Sequence, residues 1–321
     1  SGAQAYQLLT ISNEEEATRN FDHLRTINEV IKGLENESTQ HECRPGSCER
    51  RSWERSSKSI VDHSSWQSPV RDQGKRSTCG VFSLLGALEA LGGGIPDDLS
   101  EEDGYHLAVR YIKEDPASDI GIWPHELAEA LKTDKLCKEQ DWPYNPDKQD
   151  IPKNRPALAA QSGVCGVNDY LLFKVDDELR KNGHAQVEEL LARGKDICAT
   201  FKVAWDNNVT RKTGIIDGYC DKAGKPIASL AAHAMLIVGY DREKGYFIVK
   251  NSYGQSYGKD GYVHLTYDYF SQYAWGAWIC ITRDQVAANV ESERNSEVAA
   301  DENLLANSGT VGLPSLNLLG Q

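Results

Sequence analysis

Between residues 12 and 37 the apolar positions Phe21, Leu24, Ile27, Ile31 and Leu34 recur every three or four residues in otherwise polar text. That spacing predicts an amphipathic helix over about residues 13–36, capped by Ser12 or Asn13, with three glutamates near the positive end of its dipole. Such a stripe needs a groove to lie in. Residues 39–65 follow as a polar linker with little periodicity. Residues 79–91 are apolar enough for a buried helix, stopped by Gly92, Gly93, Gly94 and Pro96. "SEEDGYHLAVRYI" predicts a second helix, with Ser100 as cap and Asp103 in the capping-box position, and "PHELAEALK" a third. Later the period shortens. "ICATFKV", "HAMLIVGYD", "GYFIVKNS", "GYVHLTY" and "GAWICIT" are short β-branched and aromatic runs between Gly and Asp, and they read as strands. Helices first and strands later predict an α+β protein of two lobes with a cleft between them. Beyond Arg283 the text turns small, acidic and free of aromatics, which reads as an extension outside the core.

Composition narrows the function classes. With 321 residues, 40% hydrophobic and 26% charged, the chain can bury a sizeable core. No apolar run approaches the ~20 residues of a membrane span. The net charge of −13 argues against nucleic acid, which needs clustered Lys and Arg. The opening "SGAQAYQ" reads as a trimmed end, so the lack of a visible leader says little about export. Eight cysteines in this length are no disulfide scaffold. "CRPGSC" favours a local Cys43–Cys48 disulfide or two free thiols. His41 would add a third zinc ligand, but no paired fourth is visible, so neither metal nor cofactor is expected.

The candidate chemistry centres on Cys79, in "SPVRDQGKRSTCGVFSLLGALEALGGG". This thiol sits where a glycine-marked polar loop becomes an apolar helix, six residues after Gln73. A free thiol titrates near ~8.5, and a helix N-terminus or a neighbouring imidazolium lowers that value. His233 is the histidine out of place: a polar ring within the nearly all-apolar "LAAHAMLIVGYD". By itself it also fits an ordinary core histidine. Asn251 ends the strand "GYFIVKNS" at a Ser-Tyr-Gly turn, where its amide would fix an imidazole's tautomer and orientation.

Together these segments resemble the papain-like cysteine peptidases, the family that includes the cathepsins. "PVRDQG" followed by Cys79, Phe82 and Ser83 resembles the segment with the family's oxyanion glutamine and nucleophile. "HAMLIVGYD" resembles its histidine strand and "GYFIVKNSYG" its Asn-Ser-Trp-Gly turn, while "LSEED" and "WPY" fall where the family has similar text. The likeness spans about residues 60–282. The resemblance implies a papain-like two-lobe fold, with a helical left lobe, an antiparallel β-barrel-like right lobe and the active-site cleft between them. It implies a cysteine endopeptidase with Cys79, His233, Asn251 and Gln73 as catalytic residues, and with Gly121 of "SDIGIW" and Ala234 contacting substrate. Protein or peptide substrates follow, with no nucleic-acid or membrane partner, a monomer, and a secreted, lysosome-like or periplasmic setting.

The departures point to a divergent, microbial-type branch. Arg76-Ser77-Thr78-Cys79-Gly80 stands where the family has Cys-Gly-Ser-Cys-Trp, so a common disulfide and an aromatic are lost. Tyr253 replaces the tryptophan that shields the asparagine. The expected organisation is an inhibitory pro-segment-like helix and linker at 1–56, the peptidase domain at 57–283 and an acidic extension at 284–321. The stretch "HECRPGSCERRSW" is expected over Cys79, with activating cleavage between about Trp53 and Val61. Two other readings keep the same residues: a papain-fold acyl transferase or amidase on a non-protein acceptor, and a degenerate effector or binding module.

Overall fold

The computed structural model describes residues 9–10, 21, 23–42, 57–92, 95–96, 98–218 and 231–288. Its strands are β1 (Leu9–Thr10), β2 (Ile60–Asp62), β3 (Cys165–Val167), β4 (Leu171–Lys174), β5 (Ile197–Lys202), β6 (Ile215–Ile216), β7 (Ala231–Asp241), β8 (Tyr246–Lys250), β9 (Tyr262–Thr266), β10 (Ala274–Cys280) and β11 (Val286–Ala288). Its helices are α1 (Ile27–Glu42), α2 (Cys79–Ala90), α3 (Glu101–Tyr111), α4 (Pro124–Ala130), α5 (Ala157–Gln161), α6 (Asp177–Asn182), α7 (His184–Ala192), α8 (Asn207–Thr213) and α9 (Tyr267–Tyr273). The main sheet runs β4-β10-β5-β7-β8-β9-β6, with β1 and β2 also paired to β7. All its pairings are antiparallel except β6 with β9. This is the α+β, two-lobe arrangement that the change of period predicts.

The long apolar run of β7 has a direct cause. Met235 and Ile237 enter one core, with Phe201, Trp278 and the helices of the β-lobe, while Leu236 and Val238 enter the other, with α2, α3 and α4. A strand covered on both faces loses the alternation of a half-exposed one. β7 is therefore the wall shared by the lobes. Charged groups reinforce the junction: Arg71 pairs with Glu89 of α2 at 3.0 Å and Glu101 of α3 at 2.7 Å. Lys250 of β8 donates to Ser68 Oγ at 2.9 Å.

Two sequence expectations shift. The N-terminal helix starts at Ile27, because Phe21 and residues 23–26 are not helical; Ser12 and Asn13 lie outside the described residues. The reason is local. Thr26 Oγ1 accepts from Glu29 N at 3.3 Å and the Glu29 carboxylate accepts from Thr26 N at 2.7 Å, a reciprocal capping box. From there Ile27, Val30 and Ile31 bury against the β-lobe core. At the other end the body continues past 283, since β11 pairs antiparallel with β3. Ser100 does cap α3, accepting from Asp103 N at 3.0 Å, but the Asp103 carboxylate turns instead to Arg155 and Cys137 N. Cys43 and Cys48 lie outside the described residues; Cys79, Cys137, Cys165, Cys198 and Cys280 are free thiols.

Candidate active site

Cys79 is the first residue of α2, where free backbone N–H groups converge. Its Sγ accepts from Ala234 N at 3.4 Å, across from the other lobe. The N–H groups of Ala234, Gly80 and Cys79 itself favour the thiolate, but complete burial outweighs them and pushes the thiol up to about 11. Gly80 explains one departure from the family pattern. A Cβ there would collide with the Ile122 carbonyl oxygen, so no side chain fits beside Cys79 on this face.

Gln73 is brought back to this point by a turn at Gly74, whose φ of +63° suits glycine. The main chain around it is tied to the far lobe: Gln73 N donates to Ser252 O at 2.9 Å and Gly254 N to Arg71 O at 3.0 Å. Its amide is held at both ends. Oε1 accepts from Ser252 Oγ at 2.6 Å and Nε2 donates to Arg76 O at 2.7 Å. A carbonyl can only accept, so the amide cannot be flipped, and one N–H of Nε2 has no hydrogen bond among the described residues.

The same logic fixes the tautomer of His233. Asn251 Oδ1 takes Ser252 N–H at 2.8 Å and lies 2.8 Å from His233 Nε2. Because that oxygen is the acceptor, Nε2 must carry the proton, and in the neutral ring Nδ1 is the basic nitrogen. Nδ1 is buried and has no hydrogen-bond partner among the described residues. Tyr253 stacks on the ring at 4.6 Å, which covers the Asn–His pair where the family uses tryptophan. Burial pushes the imidazole down to about 4, against a smaller opposite pull from Asn251. Both shifts run toward the neutral forms of the thiol and the imidazole.

Around the thiol, Ala232, Ala234 and Trp275 form a small apolar cluster, with Trp123 packed against it. Trp123 and Trp275 lie 4.9 Å apart, and Trp123 leans on Gly276. Ala234 thus stands beside Cys79. Gly121 lies half-buried in the loop whose next residue, Ile122, approaches Gly80. Two pieces of the N-terminal segment reach this place. β1 pairs with β7 at Leu9↔Ala232, immediately before His233, and Phe21 packs edge-on against Trp123 at 5.3 Å and His125 at 6.0 Å. Most of the stretch "HECRPGSCERRSW" lies outside the described residues, and β1 and Phe21 are the described contacts of the N-terminal segment here.

A family model described as "Papain family cysteine protease" matches residues 56–275. The chain belongs to the papain family of cysteine proteases. Its relatives include pro-cathepsin H of Bos taurus, 30% identical over 200 residues, covering 60% of this chain and 54% of that one. Human cathepsin O is 26% identical over 216 residues, covering 61% of this chain and 56% of the other. The chain thus spans about half the length of these curated relatives. Among solved structures, xylellain, a cysteine protease from Xylella fastidiosa, aligns with a TM-score of 0.55 at 22% identity, covering 74% of this chain and 94% of that one. Procathepsin L 3 of Tenebrio molitor gives 0.51 at 22% identity, covering 71% and 73%. The fold is papain-like.

Sequence reasoning missed several neighbours of this papain-family site. Ser252, which orients Gln73, was legible only as the residue after Asn251. Trp123 and Trp275 carry no local signal of facing one another, since they come from different lobes. Arg76 entered the sequence reading only as the residue in place of a family cysteine, and it is fully buried.

Proposed function

We propose that this chain is a cysteine endopeptidase held latent by its own N-terminal segment. The observation that carries the reading is the His233 Nε2–Asn251 Oδ1 contact of 2.8 Å. It leaves Nδ1 as the free base on the strand whose next residue, Ala234, holds Cys79 Sγ. With substrate present, Nδ1 takes the thiol proton and Cys79 attacks the peptide carbonyl. His233 then protonates the leaving amine, and later takes a proton from the water that releases the acyl group. The free N–H of Gln73 Nε2 and the Cys79 backbone N–H bind the oxyanion. Ala234 and Gly121 contact substrate, Ala234 in the apolar pocket. The enzyme acts as a monomer, and a secreted, lysosome-like or periplasmic setting suits release of the block by acid.

Gln73→Ala should lower kcat by ~10²-fold with KM nearly unchanged, because its donor meets charge that exists only in the transition state. A variant with a raised KM alone would move Gln73 to substrate binding. The function itself is tested with a peptide epoxide and a peptide mixture, followed by mass spectrometry. The expected result is a single label on Cys79, with peptides cut by water even when an amine acceptor is added. Exclusive transfer to the amine would favour an acyl transferase, and no label on Cys79 would favour a degenerate binding module.

A further inference from the structure

The loop between Gly74 and Thr78 belongs to no helix or strand, so its path is set by side chains. It carries the Arg76 carbonyl, which accepts from Gln73 Nε2 at 2.7 Å and so decides where that amide aims. The Arg76 guanidinium is fully buried. Nη1 donates to Glu102 at 2.5 Å and to the Asn145 carbonyl at 2.8 Å. The rings of Tyr105 and Tyr144 lie 4.7 and 5.0 Å from its central carbon. Asp119 stands 4.0 Å from Nε and accepts from Ser77 N at 2.9 Å. Tyr144 OH donates to Gln73 O at 2.9 Å and lies 2.8 Å from Thr78 Oγ1. A buried guanidinium is costly unless paired. Here Nη1 carries both hydrogen bonds, while Nε and Nη2 have none among the described residues. The Tyr144 ring that lies against the guanidinium holds both ends of the Gln73–Cys79 loop through its hydroxyl.

We propose that Arg76 is a positioning residue for the oxyanion site: clamped by Glu102 and Asn145 between two tyrosines, it fixes the carbonyl that aims the Gln73 amide. Arg76 stands where the family pattern has a cysteine, so an ion pair and a ring sandwich fasten this loop without a covalent link. The role rests on the peptidase reading of Cys79 and Gln73. It predicts that the defect of an Arg76 variant passes through Gln73 and leaves the nucleophile itself intact.

The test uses the full chain, every variant taken through the same activation. Arg76→Lys keeps the charge and loses the planar fork and stacking. It should lower kcat by ~10²-fold with KM near wild type, as expected for one misplaced oxyanion donor. Alkylation of Cys79 by iodoacetamide, which forms no oxyanion, should stay within about twofold of wild type. In a Gln73→Ala background, R76K should add no more than about twofold, because the two substitutions remove one interaction. Tyr144→Phe leaves the guanidinium in place and removes the hydroxyl from Gln73 O. It should lower kcat about tenfold, and it serves if R76K fails to fold. Unchanged kcat in the folded variant, parallel loss of kcat and alkylation, or a fully additive loss with Gln73→Ala would overturn the proposal. A wild-type chain that neither cleaves peptide nor alkylates at Cys79 would bring down the peptidase reading and this role with it. An active wild type with an indifferent R76K brings down this role alone.

Discussion

Cys79→Ala should reduce peptide cleavage by at least ~10⁴-fold, and His233→Ala should match it, because nucleophile and base act as a unit. Both residues are fully buried, so the folding cost has to be separated from the chemical one. Removing Sγ leaves the Ala234 N–H without its acceptor, a loss of about 1–3 kcal/mol, small beside a domain's core. Removing the imidazole leaves Asn251 Oδ1 still paired with Ser252 N, and opens a space beside Tyr253. Cys79→Ala should therefore unfold only a few degrees below wild type, and calorimetry beside turnover checks it. More than a few per cent of residual activity in folded Cys79→Ala would mean that another group is the nucleophile.

The polar residues at the site were legible because each interrupts a local pattern. Cys79 sits where a polar loop becomes an apolar run, and His233 stands out since both faces of β7 are buried and every neighbour is apolar. What was not legible depends on distant partners. The spacing of Phe21 and Leu24 continues the stripe of Ile27 and Ile31, so the helix looks longer than it is. The Thr26-Ile27-Asn28-Glu29 capping signal was present, but a periodic stripe outweighed it. Phe21 is spared from the helix to meet Trp123, a contact no local window contains. Arg76 belongs to the same class: its partners Glu102, Tyr105, Asp119, Tyr144 and Asn145 are all distant in sequence, so no local window shows that it is a buried anchor.

Freeing the N-terminal segment should raise turnover by ~10³-fold. A tethered block acts at an effective concentration near millimolar, against micromolar binding for the same segment added separately. The cut must fall before residue 57. Lys58 O accepts from Tyr240 OH, Arg242 N donates to Ser59 O, and β2 is paired to β7, so cleavage at 60–62 would damage the body. Cutting alone should release little activity at neutral pH. Ile27, Val30 and Ile31 are at most 3% exposed, and each buried apolar side chain contributes about 1.5–3 kcal/mol to docking as an upper figure. Acid supplies the release. His233 and His125, the latter facing Phe21 and Trp123, are both pushed down to about 4 by burial, against an ordinary 6.5. Losing Phe21 uncovers His125, so the open site binds more protons there between pH 6.5 and 4, and the closed state weakens as pH falls through that window. By pH 5 this is at most on the order of 2 kcal/mol, reached when His125 regains its full ordinary value. His233 stays against Trp205 and Tyr253 of the body. Glu129 opposes the shift at His125 slightly, and Glu126, pushed up to about 7, has the opposite sign. The Glu126 carboxylate is held by Trp123 N within its own helix cap, a partner that stays when the segment leaves. The nicked chain should thus turn over peptide far faster after incubation at pH 5 than at pH 7.5, both assayed at one pH. Added residues 1–56 should inhibit at neutral pH and less in acid. His125→Phe, which keeps an aromatic against Phe21 and cannot titrate, should shift release to lower pH. Equal turnover of intact and nicked chains after the pH 5 incubation would reduce α1 and β1 to structural parts, and equal release at both pH values would take His125 out of the mechanism.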